Sequence, residues 1–256
     1  MEKSRRQAFR GLQIKYTLAP ILWLYGIVFA MLTGLFLYNW FTKVANTTCA
    51  VSFLEQLKVL PLELAFFVLV IGVQVILKVG FAKQDKNELA VKRIPLPEET
   101  RALIRLSYSF FVTLSAFLVY FLMLCLLLLL ENSLTPEATY GGAEIYPAFY
   151  MFPHLYRLYP VANGMAIPAL TVAVAAVSVI APLAGDLRRN RDWNNLIWIW
   201  FILMAFTYFS FGDNRTGRIE SFVCMIIFGG YGIGKVVFAY RRRQKDDRTE
   251  LSERVV

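Results

Sequence analysis

The sequence predicts an all-α, polytopic membrane protein with six transmembrane helices, an N-terminal interfacial amphipathic helix and a helical elbow between helices two and three. Three observations predict it. The 256-residue chain is 57% hydrophobic and 18% charged, with a mean hydropathy of +0.52, which is too apolar for a water-soluble domain of this length. Six stretches reach the roughly 20 mostly apolar residues that a helix needs to cross a bilayer. The 27 Lys and Arg residues gather in alternate connections rather than in one patch.

The spans are expected at about 17–41, 59–80, 104–130, 162–184, 194–211 and 219–240, so that residues 1–240 form a single transmembrane domain and 241–256 a charged tail. Before the first span, Met1 to Tyr16 is basic and polar for too long to be the n-region of a signal peptide, and no small-residue cleavage site follows the first apolar run. Phe9 and Leu12 share a helical face opposite Arg6 and Arg10, as a helix lying along a membrane surface requires. With the N-terminus inside, 22 of the 27 basic residues fall on inner segments and five, Lys43, Lys58, Arg157, Arg215 and Arg218, on outer ones. That bias predicts a multi-pass protein of the cell membrane with both termini in the cytoplasm. A net charge of +9 is thereby explained as topology, and no nucleic-acid partner is expected.

Two connections are long. The inner one, residues 81–105, predicts a short helix around Asn87 to Arg93, a break at Pro95 and Pro97, and then Glu98 and Glu99 in the first turn of the third span, where a helix dipole favours acids. Hydrophobic Leu89, Val91, Ile94 and Leu96 alternate there with charges, a pattern suited to docking on a soluble partner. The outer one ends in the aromatic stretch 143–160, which predicts a short helix or re-entrant segment capping the bundle at headgroup level. The remaining links are tight, making helices four to six antiparallel neighbours.

Chemistry-bearing motifs are few. Gly229 to Lys235 reads GGYGIGK and formally fits the start of a P-loop, but Val236 stands where a magnesium-binding Ser or Thr is needed and the stretch lies within a span. Small residues that let helices pack closely explain it better. His154 is the only histidine, read as a hydrogen-bonded surface residue, and the three cysteines are widely spaced, so no metal site, cofactor site or catalytic group is expected in this chain. Glu63, Gln74 and Asn163 are polar residues within apolar runs. They line a polar path through the membrane or hydrogen-bond neighbouring helices, and both readings stand at this level.

The segment NELAVKRIPLPEETRALIRLSY, together with the basic amphipathic start and six spans with both ends inside, resembles the permeases of type 2 ABC exporters. In that family the corresponding segment is the coupling helix that touches the ATPase. The resemblance implies that Asn87, Glu88, Leu89, Lys92, Arg93, Pro95, Glu98 and Glu99 contact ABC ATPase subunits, which carry the ATP and Mg that this chain lacks. It also implies a second permease subunit, the same or a different chain, and export of an amphipathic cargo such as a peptide, antibiotic or lipid. One departure is visible: the tight link at 211–218 stands where many members place short outer helices, and the aromatic excursion follows helix three instead. The alternative is a non-transporting membrane scaffold or sensor that binds a cytoplasmic partner.

Overall fold

The computed structural model describes residues 2–46, 53–86, 96, 98–134, 151–159, 170–171, 174–175, 177–178, 181–182 and 230. The described elements are helices: α1 (Glu2–Asn46), α2 (Phe53–Val59), α3 (Leu62–Lys86), α4 (Glu98–Leu134) and α5 (Pro153–Leu158), with no strand among the described residues. Within α1, α3 and α4, the stretches Ser4–Thr42, Leu62–Gln84 and Thr100–Leu134 are long and apolar enough to cross a membrane. These are the first three predicted spans. The fourth reaches the described part only through scattered helical residues, of which Val174, Val177, Ser178 and Ala181 are buried. The fifth lies outside the described residues, and so does the sixth apart from Gly230.

α1 departs from expectation. The interfacial segment and the first span are one continuous helix of 45 residues that runs through Pro20. The cause is an unbroken buried stripe, Phe9, Gln13, Thr17 and Ile21 at four-residue spacing, continued by Val28, Leu32 and Phe36. Thr17 Oγ1 also donates to the Gln13 carbonyl at 2.8 Å, which supports the turn just before the proline. Pro20 has no N–H to offer the Tyr16 carbonyl, so one rung of the helix is missing there.

The second span starts later than predicted because Pro61 divides it from α2. The Pro61 carbonyl accepts the Ala65 N–H at 3.0 Å, so the proline caps α3, and a short link from Leu62 N to Leu60 O, 2.8 Å, closes the bend. α4 begins at Glu98, where the sequence places the first turn of the third helix, and runs four residues past the expected end of its span to Leu134.

Cross-contacts give the directions. Thr17 faces Gly80 and Leu24 faces Gly72, so α1 and α3 are antiparallel. Gln84 meets Arg105, Gln74 meets Thr113 and Leu62 meets Tyr120, so α3 and α4 are antiparallel as well. Thr17 with Tyr108 and Tyr25 with Ser115 make α1 and α4 parallel. One end of the bundle therefore gathers the start of α1, the end of α3 and the start of α4, bearing Lys3, Arg5, Arg6, Arg10, Lys15, Lys78, Lys83, Lys86, Arg101 and Arg105. The helices at the other end carry only Lys43, Lys58 and Arg157 as basic residues.

The main core lies toward the less basic end. Phe66 is fully buried there, edge-on to Phe117 at 5.0 Å, Tyr120 at 5.4 Å and His154 at 5.5 Å between ring centroids. α5, within the aromatic stretch, packs against this end. Its Leu155 and Leu158 are buried in the core, and Tyr159 donates to the Phe117 carbonyl at 2.6 Å. Burial pushes the Tyr159 phenol well above its usual range, so it remains a neutral donor.

Candidate functional site

The apolar interior is crossed by a polar ladder. Gln74 Nε2 on α3 donates to Thr113 Oγ1 on α4 at 2.7 Å, Thr113 donates to the Ser109 carbonyl at 2.7 Å, and Ser109 Oγ donates to the Ser178 carbonyl at 2.6 Å. Two further pairs tie α1 to α4: Thr17 with Tyr108 at 2.6 Å and Tyr25 with Ser115 at 3.0 Å. In a setting without water such bonds hold helices in register. Gln74→Leu is accordingly expected to lower stability by about 0.6 kcal/mol, the typical worth of an interhelical bond in lipid. Chemical unfolding of the purified protein in mixed micelles measures it, and an unchanged midpoint would remove the ladder from the account.

Of the three candidate path residues, Gln74 is in this ladder and takes the interhelical role. Glu63 sits in the first turn of α3, eleven residues or roughly 16 Å along the helix from Gln74. It is exposed and lines a cavity of about 360 Å³ with Lys58, Pro61, Phe152 and His154. Asn163 lies outside the described residues.

His154 is corrected from a surface position to a buried one, only 4% exposed, with Nε2 at 3.4 Å from the Tyr120 hydroxyl. Tyr120 in turn donates to the Leu62 carbonyl at 2.9 Å. Nearby, Glu131 in the last turn of α4 is fully buried and accepts from Gln56 Nε2 of α2 at 3.1 Å. Neither Gln56 nor Glu131 is singled out by the sequence reading, because each stands at the margin of an apolar run, where composition does not separate a buried polar residue from a solvated one. Their signal is positional: Gln56 lies one residue from buried Leu57, and Glu131 continues the Leu124, Leu127, Leu128 stripe.

At the basic end, the elbow residues Asn87, Glu88, Leu89, Lys92, Arg93 and Pro95 lie outside the described residues. Glu98 and Glu99 form the first turn of α4, as expected. Leu96 is described and buried, packed with Phe9 of α1 and Ile104 of α4. Beside this cluster the Arg105 guanidinium stacks over the rings of Phe9, 5.9 Å, and Phe81, 5.4 Å, and its Nη2 reaches Gln84 Oε1 at 3.5 Å. Leu96 is thus fastened to α1 and α4, and Arg105 joins α4 to α1 and α3. The GGYGIGK stretch, apart from Gly230, lies outside the described residues.

Comparison with models of known protein families, with curated proteins and with solved structures finds no significant match for this chain.

Proposed function

We propose that this chain is the membrane-spanning permease subunit of an ATP-driven exporter, with six spans, both termini cytoplasmic and the basic end of the bundle facing the cytoplasm. One arrangement carries the reading. α3 and α4 are antiparallel, so α3 ends and α4 begins at the end richest in Lys and Arg, and Leu96, just before α4, packs on Phe9 of α1. A hydrophobic and basic elbow at that position suits a groove on a soluble motor. Its base is continuous with rigid elements: the Arg105 stack, the Thr17–Tyr108 pair and the Gln74–Thr113 bond join the three helices in sequence.

The mechanism follows from that continuity. Closure of a partner ATPase dimer displaces the elbow, and α1, α3 and α4 move with it as one body because their shared contacts are hydrogen bonds and interlocked rings. A rocking motion of this kind, relative to a second permease subunit, opens a path for an amphipathic cargo. ATP and Mg are bound by the partner chains. This chain supplies the path and the lever, with Glu88, Arg93 and their neighbours making the contact.

Purification in mild detergent tests the proposal. A P-loop ATPase subunit is expected to accompany the chain, and Glu88→Lys or Arg93→Glu is expected to reduce ATP-driven cargo flux in vesicles at least tenfold, equivalent to about 1.4 kcal/mol of coupling. Recovery of the chain without any ATPase, with flux untouched by both reversals, would sink the proposal and favour a scaffold.

A further inference from the structure

We propose that the basic end of the bundle holds a binding site for a phosphate-bearing anion, built where α1, α3 and α4 meet. The helix register brings its residues together. Thr17 packs on Gly80, so one turn nearer the basic end Gln13 stands opposite Gln84 across the α1–α3 pair. The parallel pairing of Thr17 with Tyr108 places Ile104 and Arg105, and then Arg101, beside the same point from α4.

What marks a ligand is unmet hydrogen bonding in buried groups. Gln13 is 1% exposed and Gln84 0%. Gln13 Nε2, Gln13 Oε1, Gln84 Nε2 and Arg101 Nε have no hydrogen-bond partner among the described residues. Leaving such groups unsatisfied is costly, and folded proteins rarely tolerate several in one place. A turn of the two amides that paired Gln13 Oε1 with Gln84 Nε2 would satisfy one donor and the only acceptor. What remains is donors alone, one of them on a guanidinium. The partner that completes the site therefore offers several acceptor oxygens and negative charge, which is the chemistry of a phosphate group.

The surroundings agree. Arg105 lies over the rings of Phe9 and Phe81, with Nη2 on Gln84, which places its charge beside that amide. The described helices at this end carry ten basic residues against four acidic ones, Glu2, Asp85, Glu98 and Glu99. Ile14, Leu18 and Leu103 are exposed apolar residues at neighbouring levels of α1 and α4, where acyl chains of a phospholipid would lie. The phosphate can belong to such a lipid or be free in solution, and experiment separates the two.

The test uses the full chain purified in detergent and in nanodiscs, and is independent of any ATPase. Thermal unfolding is followed in phosphatidylcholine nanodiscs with and without phosphatidylglycerol, and in detergent with inorganic phosphate at constant ionic strength. Lipid retained through purification is identified by native mass spectrometry. A stabilising shift with phosphatidylglycerol alone assigns a lipid headgroup, and a shift with inorganic phosphate assigns a soluble anion. The Gln13→Leu variant is expected to be at least as stable as the wild type without ligand, since both polar atoms of that amide are unsatisfied, and to need at least tenfold more ligand for the same shift. Arg101→Gln provides a second, conservative variant with the same expected loss of response. Absence of any shift and of retained phosphate-bearing lipid in the wild type overturns the proposal, as does an undiminished response in both variants.

Discussion

Gly80→Leu is expected to separate α1 from α3 and to lower stability by about 3 kcal/mol, the upper range for forcing volume into a packed interface. A Cβ at Gly80 would run into the Thr17 methyl and lie 3.7 Å from the Tyr16 carbonyl. Thr17 cannot step aside, because its hydroxyl is held between the Gln13 carbonyl at 2.8 Å and the Tyr108 hydroxyl at 2.6 Å. The Gly80 backbone therefore packs directly on a threonine methyl that is held in place, which leaves no room for a side chain. Gly72 is a useful contrast: a Cβ there meets the Leu24 Cδ2 at 2.7 Å, the far end of a half-buried side chain that can turn away. Gly72→Ala is expected to be near neutral. At Gly26 and Gly34 a Cβ meets nothing within 4 Å. Alanine there should gain up to about 1 kcal/mol from helix propensity. Unfolding of the four variants in mixed micelles orders them, and a Gly80→Leu protein as stable as Gly34→Ala would refute the close crossing.

The second large effect is expected at Phe66, where substitution by alanine should cost about 3–5 kcal/mol. The ring is completely buried and stands edge-on to Phe67, Phe117, Tyr120 and His154, which come from α3 itself, α4 and α5. The neighbouring Tyr120 ring is held by its bond to Leu62 O and is not free to swing into the space. Leu64→Ala, two residues away but 61% exposed, is the matched control and should change the midpoint little. Equal losses at the two positions would mean that the aromatic cluster does not organise this end of the bundle.

Hydropathy reaches the three long helices because a bilayer demands length and apolarity, and both are local properties of the chain. It misplaces their ends for a reason visible at α1. Phe9, Gln13 and Thr17 continue the buried stripe of the helix outward, but their turn also carries Arg6, Arg10 and Lys15, so the average falls and a boundary is read where none exists. Pro61, by contrast, is an explicit stop whose effect on α2 and α3 was legible in principle. Polar residues divide in the same way. Gln74, set deep in an apolar run, announces itself, and the structure gives it the partner that its surroundings require. Gln13, Gln84 and Glu131 stand near the ends of such runs, and only the packing of a second and third helix reveals that they are enclosed. His154 shows the reverse error, since its aromatic neighbours suggested a wet boundary, whereas α5 turns it inward onto Phe66 and Tyr120.

The continuity of α1 sets a mechanical ratio. Its 45 residues make a rod about 68 Å long, whereas the hydrocarbon layer is only about 30 Å thick. From Thr17, packed on Gly80, the fifteen residues back to Glu2 form an arm of roughly 22 Å. Phe9 clasps that arm to Leu96 and Ile104, so the arm and the first turns of α4 are joined well beyond the apolar stretch.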